Sequence, residues 1–248
     1  MKDLILKKLN DFNDPEFKFD PKYHKYTYFG EQFISVTKFI QQFHKPFETE
    51  FWSKKKAEES GVPQEWILNE WKQKNDYAND VGTQTHDWIE NYYNQIWKPL
   101  PSNEDVIHRI NKFNKVYAKK LHKLEPLKFE VRVFSKRWKI AGMIDALFLY
   151  KGKIYILDYK TNKDFTTNDH PKGKYEKLLE PFDDFYKNHL NEYSIQLSMY
   201  ALILREWGFD VAGAYLVHIG PGDEEAELIK CVDMTGILEE YLNRTLIS

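Results

Sequence analysis

Asp145, Asp158 and Lys160 are the residues whose types and spacing could do chemistry. They lie in two strand-like runs, Ile144 to Tyr150 and Lys153 to Thr161, joined by Lys151-Gly152 as a two-residue turn. Pairing counted back from that turn sets Tyr150 against Lys153 and Asp145 against Asp158. Directly opposed residues sit about 4.5–5.5 Å apart, so both carboxylates would project from one face. Lys160, two residues beyond Asp158, shares that face because side chains alternate along a strand. Two carboxylates this close repel unless a cation lies between them, and hard divalent ions take oxygen ligands. A lysine beside the pair could orient or help deprotonate a water, or offset charge developing on a phosphate.

The rest of the hairpin is apolar on both faces, with Leu147, Leu149, Ile154 and Ile156 on one and Ala146, Phe148 and Leu157 on the other. Stray acids on a doubly buried strand are costly. The competing reading places both acids at wet strand ends, with Lys160 as a salt-bridge partner.

Two further segments must be positioned around this hairpin. Val81 to Glu90 reads as the opening of a helix capped by Asn79 or Asp80. His86 and Glu90, four apart, share a face, and Gly82 one turn earlier lets another backbone approach. Ser194 to Ala201 reads as an amphipathic helix, with Gln196 and Tyr200 on one face beside Tyr193, Leu197 and Leu204. Each is a weak signal alone. A single helical histidine more often packs in a core or on a surface, and Gln196 and Tyr200 alone would be ordinary boundary residues.

Taken in order, the pieces are more specific. Gly82-x-x-x-His86-x-x-x-Glu90, Gly142-x-x-Asp145, Asp158-x-Lys160 and Gln196-x-x-x-Tyr200 resemble the RecB-type branch of the PD-(D/E)XK nuclease superfamily over residues 35 to 217. Within it the chain is similar to the mitochondrial genome maintenance exonucleases and their phage and bacterial relatives. Ile34 to Ile40 and Pro46-Phe47 resemble that group's N-terminal motif, and Thr161 extends the lysine motif. Ile144 stands where many superfamily members carry proline, as is usual in this branch.

The resemblance implies a restriction-endonuclease-like α/β core, a central mixed β-sheet flanked by helices, with an N-terminal helical cover. It implies that His86, Asp145 and Asp158, with the Tyr159 carbonyl, ligate Mg²⁺ or Mn²⁺, and that Lys160 positions the attacking water. Gln196 and Tyr200 would support the site or touch the scissile strand, and Glu90 would buttress His86. Glu130 falls where relatives often carry an acid and is a further candidate. A divalent ion would acidify a water and offset phosphoryl charge, and an imidazole ligand favours Mn²⁺ over an all-oxygen Mg²⁺ site.

Composition sets limits. At 248 residues the chain can bury one sizeable core, and no Pro/Gly/Ser-rich linker divides it. A single nuclease domain is expected, with a cover over about residues 1–80 and a catalytic core over about 81–248. No apolar run of roughly 18 residues suggests a membrane helix. Met1 to Asn13 lacks the apolar core of a secretory signal and the arginine-rich, acid-poor character of a mitochondrial one, which points to the cytoplasm of a bacterium or virus-infected cell. The sole cysteine, Cys231, excludes a four-cysteine iron–sulfur cluster within this chain. The net charge of −2 argues against bulk basic binding, so nucleic-acid contact must come from local patches.

Along the chain, Phe17 to Ile34 reads as β-rich, followed by helices over Val36–Phe43, Glu48–Ser60 and Pro63–Asn75. The His86 helix is expected to reach Trp97, with another over Asn103–His122. Phe129–Phe134 and Lys139–Thr161 supply three strands. Lys163 to Asn191 reads as a loop near the site, followed by strands over Ala212–Ile219 and Leu228–Val232 and a helix over Met234–Thr245.

Phe51, Trp52, Trp66 and Trp71, near Lys54-Lys55-Lys56, could stack bases while lysines follow phosphates. Tryptophans at helical spacing more often build a core. In the similar exonucleases this region admits a single strand, and Lys163, Lys172, Lys174 and Lys177 could line the opposite wall. The leading expectation is a metal-dependent exonuclease on single-stranded DNA ends. The alternatives are a structure- or sequence-specific endonuclease on the same core and a DNA- or partner-binding protein that does not cut.

Overall fold

A computed structural model describes residues 1–163 and 176–245. The chain begins with helix α1 (Lys2–Asp11) and an antiparallel meander, β1 (Phe17–Asp20), β2 (Lys25–Tyr28) and β3 (Glu31–Ser35). Helices α2 (Val36–Ile40), α3 (Thr49–Ser60), α4 (Gln64–Tyr93) and α5 (Glu104–Lys119) follow. Three long strands come next: β4 (Glu125–Ser135), β5 (Ile140–Tyr150) and β6 (Lys153–Lys160). The described chain closes with α6 (His189–Glu206), β7 (Val211–His218), β8 (Glu227–Lys230) and α7 (Thr235–Thr245). Within residues 1–13, read above only against targeting signals, lies the helix α1.

The strands form one eight-stranded mixed sheet, in the order β1-β2-β3-β5-β6-β7-β8 with β4 on β5. Parallel pairs join β3 to β5 and β6 to β7, and the other pairs are antiparallel. This is the α/β class expected from the sequence, a central mixed sheet flanked by helices. The segment read as an N-terminal cover also contributes β1–β3, which extend the sheet through Ile34↔Ile140 and Ser35↔Ala141.

The β5–β6 hairpin follows its sequence closely. Lys151 and Gly152 both take positive φ, 46° and 77°, the geometry that a two-residue turn needs to match strand twist. The register runs from Tyr150↔Lys153 to Ala146↔Leu157. Leu147, Leu149, Ile154 and Ile156 enter one core, with α6 and α7, while Ala146, Phe148 and Leu157 enter a second, with α4 and α5. Apolar residues on both faces therefore bury the hairpin between two helical layers. Among the described residues no helix is long and apolar enough to cross a membrane.

Two expectations change. Asp145 and Asp158 do not pair in the ladder, because β5 and β6 separate after Ala146↔Leu157 while β6 continues along β7 as far as Lys160↔His218. The His86 helix does not start at Asn79 or Asp80. It is the second half of α4, which runs unbroken from Pro63 and ends at Tyr93 rather than near Trp97. No proline interrupts this stretch, and Asp80 accepts a hydrogen bond from the Gln84 side chain, 2.7 Å away on the same helix face, instead of capping. Lys172 and Lys174 of the expected wall lie outside the described residues. Lys177 pairs with Tyr186 in an isolated bridge.

Candidate active site

Where β5 leaves β6, the freed Asp145 side chain takes over part of the lost pairing. Its Oδ2 accepts a hydrogen bond from the Tyr159 backbone N–H at 2.9 Å and lies 3.4 Å from Nδ1 of His86. His86 arrives from α4, its ring edge-on to Tyr159 with centroids 6.1 Å apart. The third member is Glu130 of β4. Ligand atoms of His86, Glu130 and Asp145 all lie within 4.8 Å of one another, and all three residues are half-buried.

Glu130 reaches this position through a backbone kink. Its φ is 47°, a left-handed value uncommon for a non-glycine residue within a strand. The pleat reverses there. Phe129 and its partner Ala146 face the second core, while Val131 and its partner Ile144, two residues along, face the first. Residues two apart normally share a face. The break lifts Glu130 and the facing Asp145 towards His86.

Asp158 and Lys160 stand beside this cluster. Asp158 is 2% exposed, and its Oδ2 contacts the Lys160 ammonium at 2.6 Å. The lysine also lies 4.4 Å from the centroid of the Tyr193 ring. Burial works against the lysine charge, but Asp158 and Asp145 outweigh it and hold its pKa above the ordinary value. Burial and then the charge of Asp145 push the Asp158 carboxyl up to about 6, against the pull of Lys160. Glu130 is pushed further, to about 8, by burial and then by Asp145, Glu90, Asp87 and Asp158. The site is thus short of positive charge, with its nearest ammonium held by Asp158.

Two glycines permit the assembly. A Cβ on Gly142 would meet Cε1 of Tyr200 at 2.6 Å, so the motif glycine of β5 makes room for the motif tyrosine of α6. Tyr200 is buried, and its hydroxyl accepts from Gln196 Nε2 at 3.2 Å. A Cβ on Gly82 would lie 3.2 Å from Oγ1 of Thr161, which lets α4 approach the end of β6. Asn188 caps α6, accepting from the Asn191 N–H, and Ser194 and Ser198 fix that helix by accepting from the N–H groups of Val232 and Met234.

The residues singled out from sequence thus converge on one end of the sheet: His86 and Glu90 from α4, Asp145 from β5, and Asp158, Tyr159 and Lys160 from β6. Thr161, Gln196 and Tyr200 form the supporting layer. The tight cluster differs from the expected ligand set, since Glu130 joins His86 and Asp145 while Asp158 pairs with Lys160. Counting back across the β4–β5 turn from Ser135↔Ile140 places Glu130 opposite Asp145, a signal the sequence does carry. Three nitrogen and oxygen donors at this spacing, amid several acids, could hold a metal ion.

The sequence matches no described protein family and no curated protein. Among solved structures, a protein from Eubacterium rectale described as a candidate exonuclease is similar at 14% identity and a TM-score of 0.46, over 69% of this chain and 64% of its own. The protein SSO0001 is similar at 16% identity and a TM-score of 0.26, over 68% and 71% of the two chains. The chain therefore spans less than two thirds of the first of these. Likeness at this level leaves function to the geometry of the site.

Proposed function

We propose that this protein is a metal-dependent deoxyribonuclease of the RecB-type, an exonuclease acting on single-stranded DNA ends. The observation that carries the proposal is the convergence of His86, Glu130 and Asp145 within 4.8 Å, beside the Asp158–Lys160 pair. Asp158 and the Tyr159 carbonyl, ligands implied by the sequence resemblance, stay in the proposed set, and Glu130 is added to it. When bound there, a divalent ion would supply Lewis acidity, acidifying a water and offsetting phosphoryl charge.

The chain's own groups divide the remaining work. Asp145 is oriented by the Tyr159 N–H and in turn fixes the His86 ring. Lys160, kept protonated by Asp158 and Asp145, serves as a fixed positive charge for phosphoryl oxygens and a donor that orients water, not as a base. Gln196 and Tyr200 hold β5 at the distance Gly142 allows.

The single-strand preference is favoured by Phe47, Phe51 and Trp66, which stay outside the cores, while Trp52 and Trp71 are half-buried. Phe47, Phe51 and Trp66 are 63%, 56% and 54% exposed, and the Lys55 ammonium lies 5.2 Å from the Trp52 ring. Exposed rings interleaved with lysines fit stacking on unpaired bases with contacts along phosphates.

Incubating end-labelled linear and circular single-stranded DNA with Mn²⁺, Mg²⁺ or EDTA, beside the Asp158→Ala protein, tests the reading. Metal-dependent loss of the linear strand alone, abolished in the variant, is the expected result. Cutting of the circle would convert the assignment to an endonuclease. DNA binding without cutting under any metal would leave a binding protein.

A further inference from the structure

We propose that Tyr193 is a positioning residue for Lys160, its ring face fixing where the ammonium sits beside the metal cluster. This rests on the nuclease reading above. Tyr193 lies in the second turn of α6, outside the four motifs of the sequence resemblance. The Lys160 ammonium is held from two directions, by Asp158 Oδ2 at 2.6 Å and by the Tyr193 ring at 4.4 Å. A carboxylate alone fixes a distance, while a flexible four-carbon stem can still swing around it. The ring removes that freedom, because its negative face attracts the cation from a second side and excludes water there.

Tyr193 is itself braced. Its ring stacks on His189 one turn earlier, with centroids 5.8 Å apart and planes 18° from parallel, and His189 Nδ1 lies 3.2 Å from Glu192. The Asn188 cap fixes the first turn of α6, on which His189 sits. The start of α6 and the end of β6 are thereby joined through a cation, beside the packing of Leu190 and Tyr193 on the first core. A lysine held in this way keeps its charge in one place through the reaction, which lowers the reorganisation needed as phosphoryl charge builds.

The test is a series at position 193: Tyr, Phe, Phe with increasing ring fluorination, and Leu. Fluorination weakens the negative ring face with little change of shape. Tyr193→Leu is expected to lower kcat on single-stranded DNA about tenfold, in the range of a desolvated cation–π contact, with KM unchanged. Tyr193→Phe should recover most of that loss, and the fluorinated rings should fall between Phe and Leu in order of fluorine number. A flat response to fluorination, or equal loss in KM and kcat, would overturn the proposal.

A second readout does not depend on cleavage. In lysine-labelled protein the Lys160 ε-methylene protons should resonate upfield from ring current in the Tyr and Phe forms, and return to ordinary values in Tyr193→Leu. Ordinary values in the wild type would overturn the ring contact even in an active enzyme. If the wild type cuts no DNA, the nuclease reading falls, and an upfield signal lost in Tyr193→Leu still supports the contact while an unchanged one removes it.

Discussion

Glu130 is the residue on which sequence and geometry differ most. Its carboxylate reaches His86 and Asp145 only because its own backbone adopts φ 47° and reverses the pleat. Glutamate carries no signal for that conformation, unlike the Lys151-Gly152 turn, whose residues announce it. Asp145, Asp158 and Lys160 were legible because the turn sets the hairpin's register, whereas the separation of the two strands just past Ala146 is a tertiary event. Placing Glu130 among like charges has a measurable consequence. Glu130→Gln should raise the melting temperature of the metal-free protein by about 2–4 °C, the equivalent of roughly 1 kcal/mol for a domain of this size. It should also abolish the further rise that Mn²⁺ gives the wild type. Thermal melts with Mn²⁺ and with EDTA check both, and a metal-induced rise retained in the variant would remove Glu130 from the ligand set.

At the level of elements, the motifs are spacing devices as well as chemistry. Gly142→Ala would drive a Cβ to 2.6 Å from the buried Tyr200 ring, so something must move. The expected cost is about 1–3 kcal/mol, the usual range for overpacking a core. If the clash is the cause, Gly142→Ala should cost much less in a Tyr200→Leu background, and a double-mutant cycle on urea midpoints measures that coupling. Additive costs would refute it. Gly82 poses a question of sign. Alanine is worth up to about 1 kcal/mol over glycine inside a helix, but here its Cβ would lie 3.2 Å from Thr161 Oγ1. Gly82→Ala should therefore stabilise clearly in a Thr161→Ala background and by less, or not at all, in the wild type. Equal effects in both would mean that α4 does not press on the end of β6. The length of α4 was not readable from sequence, because Asn79 and Asp80 are good caps in isolation and only their place within an unbroken helix makes them surface residues.

Across the whole molecule, the two-sided apolar hairpin foretold a sheet buried between helical layers, and the division of its residues between the two cores follows the alternation in the sequence. The β-rich reading of Phe17 to Ile34 holds, since β1–β3 lie there, but the parallel junction of β3 with β5 needed the tertiary structure, because short strands do not declare their partners. Burial has a chemical consequence in the first core, where it pushes the Cys231 thiol up to about 12. An acid whose folded pKa is raised keeps its proton in the folded state after the unfolded chain has lost it. Stability from this group is therefore lost as the pH climbs from about 9 towards 12. At pH 8.5 a thiol reagent should leave the native protein unmodified and label the urea-unfolded chain at one site, and rapid native labelling would contradict that burial.

The proposed activity is hydrolysis of phosphodiesters at one end of this sheet, with a divalent ion held by Asp145 and its neighbours. The most direct measurement is the rate of Mn²⁺-dependent cleavage of an end-labelled single strand by the wild type and by Asp145→Asn, which keeps a hydrogen-bond acceptor for the Tyr159 N–H but removes the charge. The expected result is steady degradation by the wild type, none in EDTA, and a loss of at least about a hundredfold in the variant, on the scale of removing one charged group from a transition state. Wild-type rates in Asp145→Asn, or cleavage that survives EDTA, would contradict it.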